Sequence, residues 1–143
     1  MHTGPIPAIV TAEITLDLMI VGDYGVPVPA DFHYGAHEPY SVTVRFHTAE
    51  ETVQWVFARE LLKKGTDSPV GDGDITCWPA TINGRRVVCM ALRSPTGQAL
   101  LQAPAGEISA FLDRTYDVIP AGTEGEHLDL DGLILDILDG TDR

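Results

Sequence analysis

HTAEETVQWVFARELLKKG, residues 47–65, decides whether the middle of this chain is helical or part of a sheet. Thr48 followed three positions later by Glu51 matches the capping box that begins many helices. Residues 52–57, however, alternate as a half-buried strand does, and they are rich in β-branched and aromatic side chains. The stretch therefore supports two interpretations.

The distribution of apolar side chains favours the strand. One helix over 49–64 would place Glu60 on its core face and leave Trp55 outside that face. A strand over 52–57 keeps Trp55 on the apolar side, and good helix formers follow at 58–64. We therefore predict a strand over 52–57 and a short helix over 58–64. The inward side of the strand would carry Val53, Trp55 and Phe57.

The residues before this stretch predict two further strands. Residues 40–47 alternate with Val42, Val44 and Phe46 inward. Residues 13–21 alternate as well, with Ile14, Leu16, Leu18 and Ile20 inward. Residues 22–39 are rich in glycine and proline, which predicts a loop with a short edge strand near 32–34.

DITCWPATI at 74–82 and RRVVCMALR at 85–93 are separated by Asn83-Gly84, which favours a type I′ hairpin turn. The predicted register pairs Ile82 with Arg85, Trp78 with Cys89, and Cys77 with Met90. Cys77 and Cys89 would then point to opposite faces of the sheet, which excludes a disulfide unless a bulge at Pro79 shifts the register.

The C-terminal third predicts one returning strand and two helices. QALLQAP is the strand, and a helix follows over 104–118. Its core face carries Ile108, Phe111, Leu112, Thr115 and Ile119. A last helix over 130–139 has an apolar stripe that either covers the sheet or contacts a partner.

The order of these elements predicts the fold class. Each half of the chain is a run of antiparallel strands that ends in a helix. We therefore expect an α+β domain with a strongly bent antiparallel sheet or open barrel. One domain spans residues 1–143, and residues 1–12 are expected to be disordered.

The charge balance opposes whole classes of partner. Nine Lys and Arg face 21 Asp and Glu, which gives a net charge of −12. Nucleic acid binders use a basic surface to neutralise phosphates, so this balance opposes DNA, RNA or an anionic membrane as the main partner. No signal peptide and no apolar run long enough to span a bilayer are visible, which predicts a cytoplasmic protein without membrane insertion.

No motif in the sequence carries recognisable catalytic chemistry. His33 and His37 have helical ligand spacing, but Gly35 lies between them. HLDLDG at 127–132 fails the calcium-loop pattern at its first and twelfth positions. We therefore predict no metal, no cofactor and no catalytic residue. An enzyme with a dispersed site is the third hypothesis, because one sequence does not reveal spatial clusters.

Several long segments resemble one known family. They are PYSVTVRFHT, EETVQWVFARELL, PVGDGDITCWP, VVCMALRSPTGQALLQAP, FLDRT and VIPAGTE. In this order they resemble the SsgA-like family of actinobacterial sporulation and cell-division proteins. The resemblance runs from Glu13 to Leu138 and is closest to the branch that positions the division septum.

The resemblance implies a function. Such proteins are non-enzymatic, lie at future septa, recruit the tubulin-like protein FtsZ and stimulate its polymerisation, with an SsgA-type homologue as an upstream partner. It also implies a homotrimer and a Whirly-like fold. Whirly proteins bind single-stranded nucleic acid, so such binding is the alternative function, with Tyr34, Tyr40, Trp55 and Trp78 as candidate stacking residues.

The site of FtsZ contact has no sequence motif. FtsZ is itself acidic, so long-range charge would not steer the two proteins together. Exposed residues of the 22–40 segment and of the first helix are the candidates. They are Tyr24, His37, Arg59 and Lys63.

Overall fold

The structure, a computed structural model, describes residues 9–21 and 24–126. These residues form eight strands and two complete helices, and residues 124–126 are helical as well. The elements are β1 (Ile9–Val21), β2 (Tyr24–Gly35), β3 (Ser41–His47), β4 (Thr52–Ala58), α1 (Arg59–Gly65), β5 (Val70–Asp72), β6 (Ile75–Ile82), β7 (Arg85–Ser94), β8 (Gly97–Pro104) and α2 (Ala105–Val118).

The described strands form one antiparallel sheet in the order β4-β3-β2-β1-β8-β7-β6-β5. β1 pairs with β8 at the centre and so joins two runs of four strands. Helix α1 packs against β4 at one edge and against β5 and β6 at the other, so the sheet curls around the helices. The predicted α+β fold, a strongly bent antiparallel sheet with a helix after each run of strands, is confirmed.

The stretch at 47–65 is a hairpin return followed by a helix, as predicted. Thr48 and Glu51 close the turn, because the Thr48 N–H donates to the Glu51 carbonyl at 2.9 Å and the Glu51 N–H donates to Thr48 Oγ1 at 3.1 Å. The capping-box residues therefore stabilise a β-turn. In β4 the inward side chains are the predicted three, Val53, Trp55 and Phe57.

The hairpin of β6 and β7 has the predicted register, including the pairs Cys77–Met90 and Trp78–Cys89. Asn83 and Gly84 both have positive φ, 52° and 78°, as a type I′ turn requires. Cys77 and Cys89 are free, buried thiols. Burial raises the pKa of the Cys77 thiol to about 12 and also raises that of Cys89, so both stay protonated at neutral pH.

The prediction of a loop over 22–39 is wrong, because β2 is a 12-residue strand inside the sheet. Its buried face carries Val28, Ala30, Phe32 and Tyr34. β2 pairs with β3 only from Ala30 to His33, so Pro27 and Pro29 lie in the half that has no strand on that side. Proline is tolerated there because its missing N–H breaks no ladder bond.

Two expectations for the first strand are also corrected. β1 begins at Ile9, so residues 9–12 are strand and not disordered. Ile20, predicted to face inward, is 55% exposed, and the register of β1 and β2 shifts between Met19 and Val21, around this residue. The predicted helix over 130–139, like the HLDLDG segment, lies outside the described residues.

Helix α2 packs its predicted face into the core. Ile108, Phe111, Leu112, Thr115 and Ile119 are all buried. The Phe111 ring meets Phe32 of β2 edge to face, with 5.5 Å between ring centroids. A side chain from the second half of the chain therefore packs on a strand of the first half.

Gly65, the last residue of α1, is a point of close approach. A methyl group at this position would lie 2.5 Å from Cβ of Cys77 in β6. We expect Gly65→Ala to lower the free energy of unfolding by about 1–3 kcal/mol, because overpacking moves the helix away from the strand. Urea unfolding measures this, and Gly106→Ala is the control, since Gly106 has open space around it. Equal stabilities of the two variants would contradict the close approach.

Candidate partner-binding surface

Arg59, predicted as an exposed contact residue, is buried with 1% of its surface exposed. Its Nη1 donates to the carbonyl oxygens of Thr115 at 3.1 Å and Ile119 at 2.8 Å. Its Nη2 donates to Oε2 of Glu124 at 2.7 Å. Arg59 therefore binds the end of α2, and its burial corrects the expectation of exposure.

Aromatic rings complete the Arg59 environment. The guanidinium carbon lies 4.0 Å from the ring centroid of Tyr116 and 4.8 Å from that of Tyr34. The Tyr34 hydroxyl donates to the Pro39 carbonyl at 2.9 Å. The last carbonyls of a helix lack internal partners and carry partial negative charge, so a buried cation is stabilised there. Arg59 thus joins the start of α1, the end of α2 and the end of β2.

Glu124 links this contact to pH. The hydrogen bond from Arg59 lowers the pKa of Glu124 below its ordinary value of 4.5. The bond therefore contributes its full stability above about pH 4.5, and this contribution is lost as pH falls through the lower folded-state pKa.

We expect the wild-type free energy of unfolding to decrease over that acid range. Glu124→Gln should be less stable than wild type at pH 7, and its free energy of unfolding should decrease less steeply in acid. Urea unfolding from pH 7 to pH 3 tests this, with Glu126→Gln as control. Parallel pH curves for wild type and Glu124→Gln would contradict it.

The three other candidate residues are exposed but do not form one patch. Tyr24 begins β2 and is 67% exposed, whereas His37 lies in the turn after β2. At about 3.4 Å per residue, the length of β2 separates its two ends by ~35 Å. Lys63 is exposed on α1, whose first N–H bonds the Tyr40 carbonyl near the His37 turn. His37 and Lys63 therefore lie at one end of the molecule and Tyr24 at the other.

Tyr24 belongs to a projecting β-arm, defined here as residues 19–21 of β1 and 24–29 of β2. β1 pairs with β8 only at Asp17 and Leu18, and β2 meets β3 only from Ala30 onward. Within the described residues, the β2 part of the β-arm therefore pairs with β1 alone, residues 24–25 with 19–21 and residues 26–29 with 15–18. Three large apolar side chains of the β-arm are exposed: Ile20 at 55%, Tyr24 at 67% and Val26 at 38%. The β-arm is an exposed apolar surface of the kind that binds protein partners.

The outer face of β1, β2 and β3 is polar. His47 and Asp31 pair there, with 2.7 Å between Nε2 and Oδ2. A shallow depression of about 500 Å³ beside them is lined in part by Glu13, His33 and Arg45. Among residues 9–21 and 24–126, no three His, Cys, Asp or Glu side chains are arranged to bind a metal. This face offers charged and hydrogen-bonding side chains.

The aromatic residues considered for base stacking do not share an accessible face. Tyr34 is fully buried and Trp55 packs against the core. Tyr40 is half exposed at the start of β3, and Trp78 lies on the outer face of β6. These four side chains therefore do not form one stacking surface among the described residues. No described helix is long and apolar enough to span a bilayer.

Comparisons with known proteins identify the family. A family model described as Streptomyces sporulation and cell division protein, SsgA, matches residues 28–124. The sporulation-specific cell division protein SsgB of Streptomyces coelicolor is 48% identical over 130 residues, which cover 90% of this chain and 95% of that protein.

Two solved structures have the same fold. An S. coelicolor SsgB structure, from work on mutations that correlate to longitudinal cell division during sporulation, has a TM-score of 0.84 at 46% identity and covers 87% of this chain and 99% of that one. An SsgA-like sporulation-specific cell division protein from Thermobifida fusca has a TM-score of 0.85 at 37% identity, covering 94% and 98%. The chain therefore belongs to the SsgA family of sporulation and cell-division proteins, which are not enzymes.

Proposed function

We propose that this protein is an adaptor that acts at the division septum, where it recruits FtsZ and promotes FtsZ polymerisation. Its relatives are sporulation-specific cell division proteins, which supports a role in septation. The exposed apolar β-arm carries the proposal, because an adaptor without catalytic groups acts through its binding surfaces.

The β-arm is the proposed FtsZ contact because of its apolar character. Two acidic proteins gain little from long-range attraction, so their contact depends on local apolar burial and hydrogen bonds. Ile20 and Tyr24 are the most exposed large apolar side chains of the β-arm. Burying such side chains at an interface stabilises it by roughly 25 cal/mol per Å² of apolar surface.

Variants of the β-arm test this contact. We expect the double variant Ile20→Ser/Tyr24→Ser to bind FtsZ about tenfold more weakly, since central aromatic and aliphatic side chains dominate interface energy. Titration of fluorescently labelled FtsZ measures the affinity, and a thermal melt checks that the variant folds. Lys63→Glu and His37→Ala test the sequence-predicted residues at the opposite end. Wild-type affinity of the β-arm variant would contradict the proposed contact.

Self-association is a second part of the proposal. β4 is an edge strand of the described sheet, and its Val56 is 49% exposed, which supports pairing between subunits. Sedimentation velocity gives the oligomeric state, for which the proposal requires a trimer.

A further inference from the structure

The outer face of β6, β7 and β8 is apolar although it lies away from the core. Alternate residues of these strands, such as Cys77, Met90 and Leu101, point into the core. The residues between them point outward and, apart from the buried Cys89, are partly or fully exposed. We define the outer apolar face as Trp78, Ala80, Ile82, Val87, Ala91 and Leu100.

This face is also cationic. Arg85 and Arg93 lie at the two ends of β7, on the same face of the strand as Val87 and Ala91, and both are exposed. The described outward residues of β6, β7 and β8 include no Asp or Glu. Within these three strands of a chain with net charge −12, the outward formal charges are therefore positive, and the carboxylates of Asp74 and Asp17 lie at the borders of the face, opposite Arg93 and Gln102. Charge complementarity selects an acidic, apolar segment as its occupant.

The sequence contains such a segment. Residues 127–143, HLDLDGLILDILDGTDR, carry five aspartates, and their single basic residue, Arg143, is the last of the chain. Leucine and isoleucine fill most of the positions between these aspartates. The segment continues directly from Glu126, and 12 residues span up to ~40 Å when extended, which suffices to reach across a domain of this size.

We propose that residues 128–139 dock on the outer apolar face of their own chain, with their aspartates beside Arg85 and Arg93. The β-arm is the competing apolar surface, but among its described residues it has no cation to pair with those aspartates. A docked segment covers Trp78 and removes an exposed apolar sheet face from water. This inference concerns a face distinct from the β-arm and does not depend on FtsZ binding.

Fluorescence of Trp78 tests the docking. Trp55→Phe leaves Trp78 as the single tryptophan. We expect a truncated chain that ends at Glu126 to show at least a twofold larger acrylamide quenching constant and red-shifted emission. A synthetic peptide of residues 127–143 should reverse both changes. Arg85→Glu/Arg93→Glu in the full chain should give the same exposure as truncation, whereas Lys63→Glu, an exposed cation on α1, should not.

A charge exchange separates docking from unfolding. We expect Asp136→Lys/Asp139→Lys to expose Trp78, and the combination with Arg85→Glu/Arg93→Glu to restore its protection. Circular dichroism confirms that each variant is folded. Equal quenching in the full and truncated chains would overturn the proposal. Protection that weakens on dilution would also overturn it, since it would assign the face to a second copy.

Discussion

Arg59→Ala lowers the free energy of unfolding by about 3–5 kcal/mol, the range for breaking a buried charged contact. The substitution leaves Glu124 without its partner and the Ile119 carbonyl without its donor, and it leaves the Thr115 carbonyl with the Ile119 N–H alone. It also removes the cation between two tyrosine rings. A small domain has only about 5–15 kcal/mol of stability, so this variant is expected to unfold at much lower urea concentration.

Urea unfolding followed by tryptophan fluorescence measures the effect. Arg114→Ala is the matched control, because Arg114 is exposed and donates a single hydrogen bond to the Thr11 carbonyl. We expect the control to change the free energy of unfolding by less than about 0.5 kcal/mol. A loss for Arg59→Ala no larger than that of Arg114→Ala would contradict the role assigned to Arg59.

Phe111→Ala is expected to cost about 3–5 kcal/mol through the cavity it creates. Phe111 is 1% exposed and packs edge to face on Phe32, so the substitution removes a buried contact between α2 and the first half of the sheet. Phe111→Leu keeps most of the volume and should cost less than about 1.5 kcal/mol.

Thermal unfolding measures the Tm of each variant. For a chain of this size, each kcal/mol of lost stability lowers Tm by roughly 3–5 °C. Asp113→Ala, at an exposed position of the same helix, is the surface control. The packing account fails if Phe111→Ala melts within a degree or two of that control.

Local patterns predicted those elements whose determinants lie close together in sequence. The Asn83-Gly84 turn and its flanking alternation set the β6–β7 register, and α2 has one continuous apolar face. Residues 52–57 could be assigned because a helix would have placed a charge in the core. In each case the deciding residues lie within one hairpin or one helix.

The failures come from interactions across the chain. The sequence analysis does not predict β2, because two prolines suggest a loop. They fit a strand here only because half of β2 has no neighbouring strand on one side, which the local sequence does not show. Arg59 was assigned to the surface because arginine is usually exposed. Its partners Thr115 and Glu124 are 56 and 65 residues away in sequence, so no local signal could reveal the contact. Ile20 likewise lies where the register of β1 and β2 shifts, between Met19 and Val21.

Co-sedimentation with FtsZ tests the proposed function most directly. Purified FtsZ is polymerised with GTP at moderate salt, with and without this protein, and the polymers are pelleted. The adaptor account predicts that the protein pellets only when FtsZ and GTP are present, and that it increases the amount of pelleted FtsZ. A protein that stays in the supernatant while FtsZ polymerises normally would contradict direct recruitment.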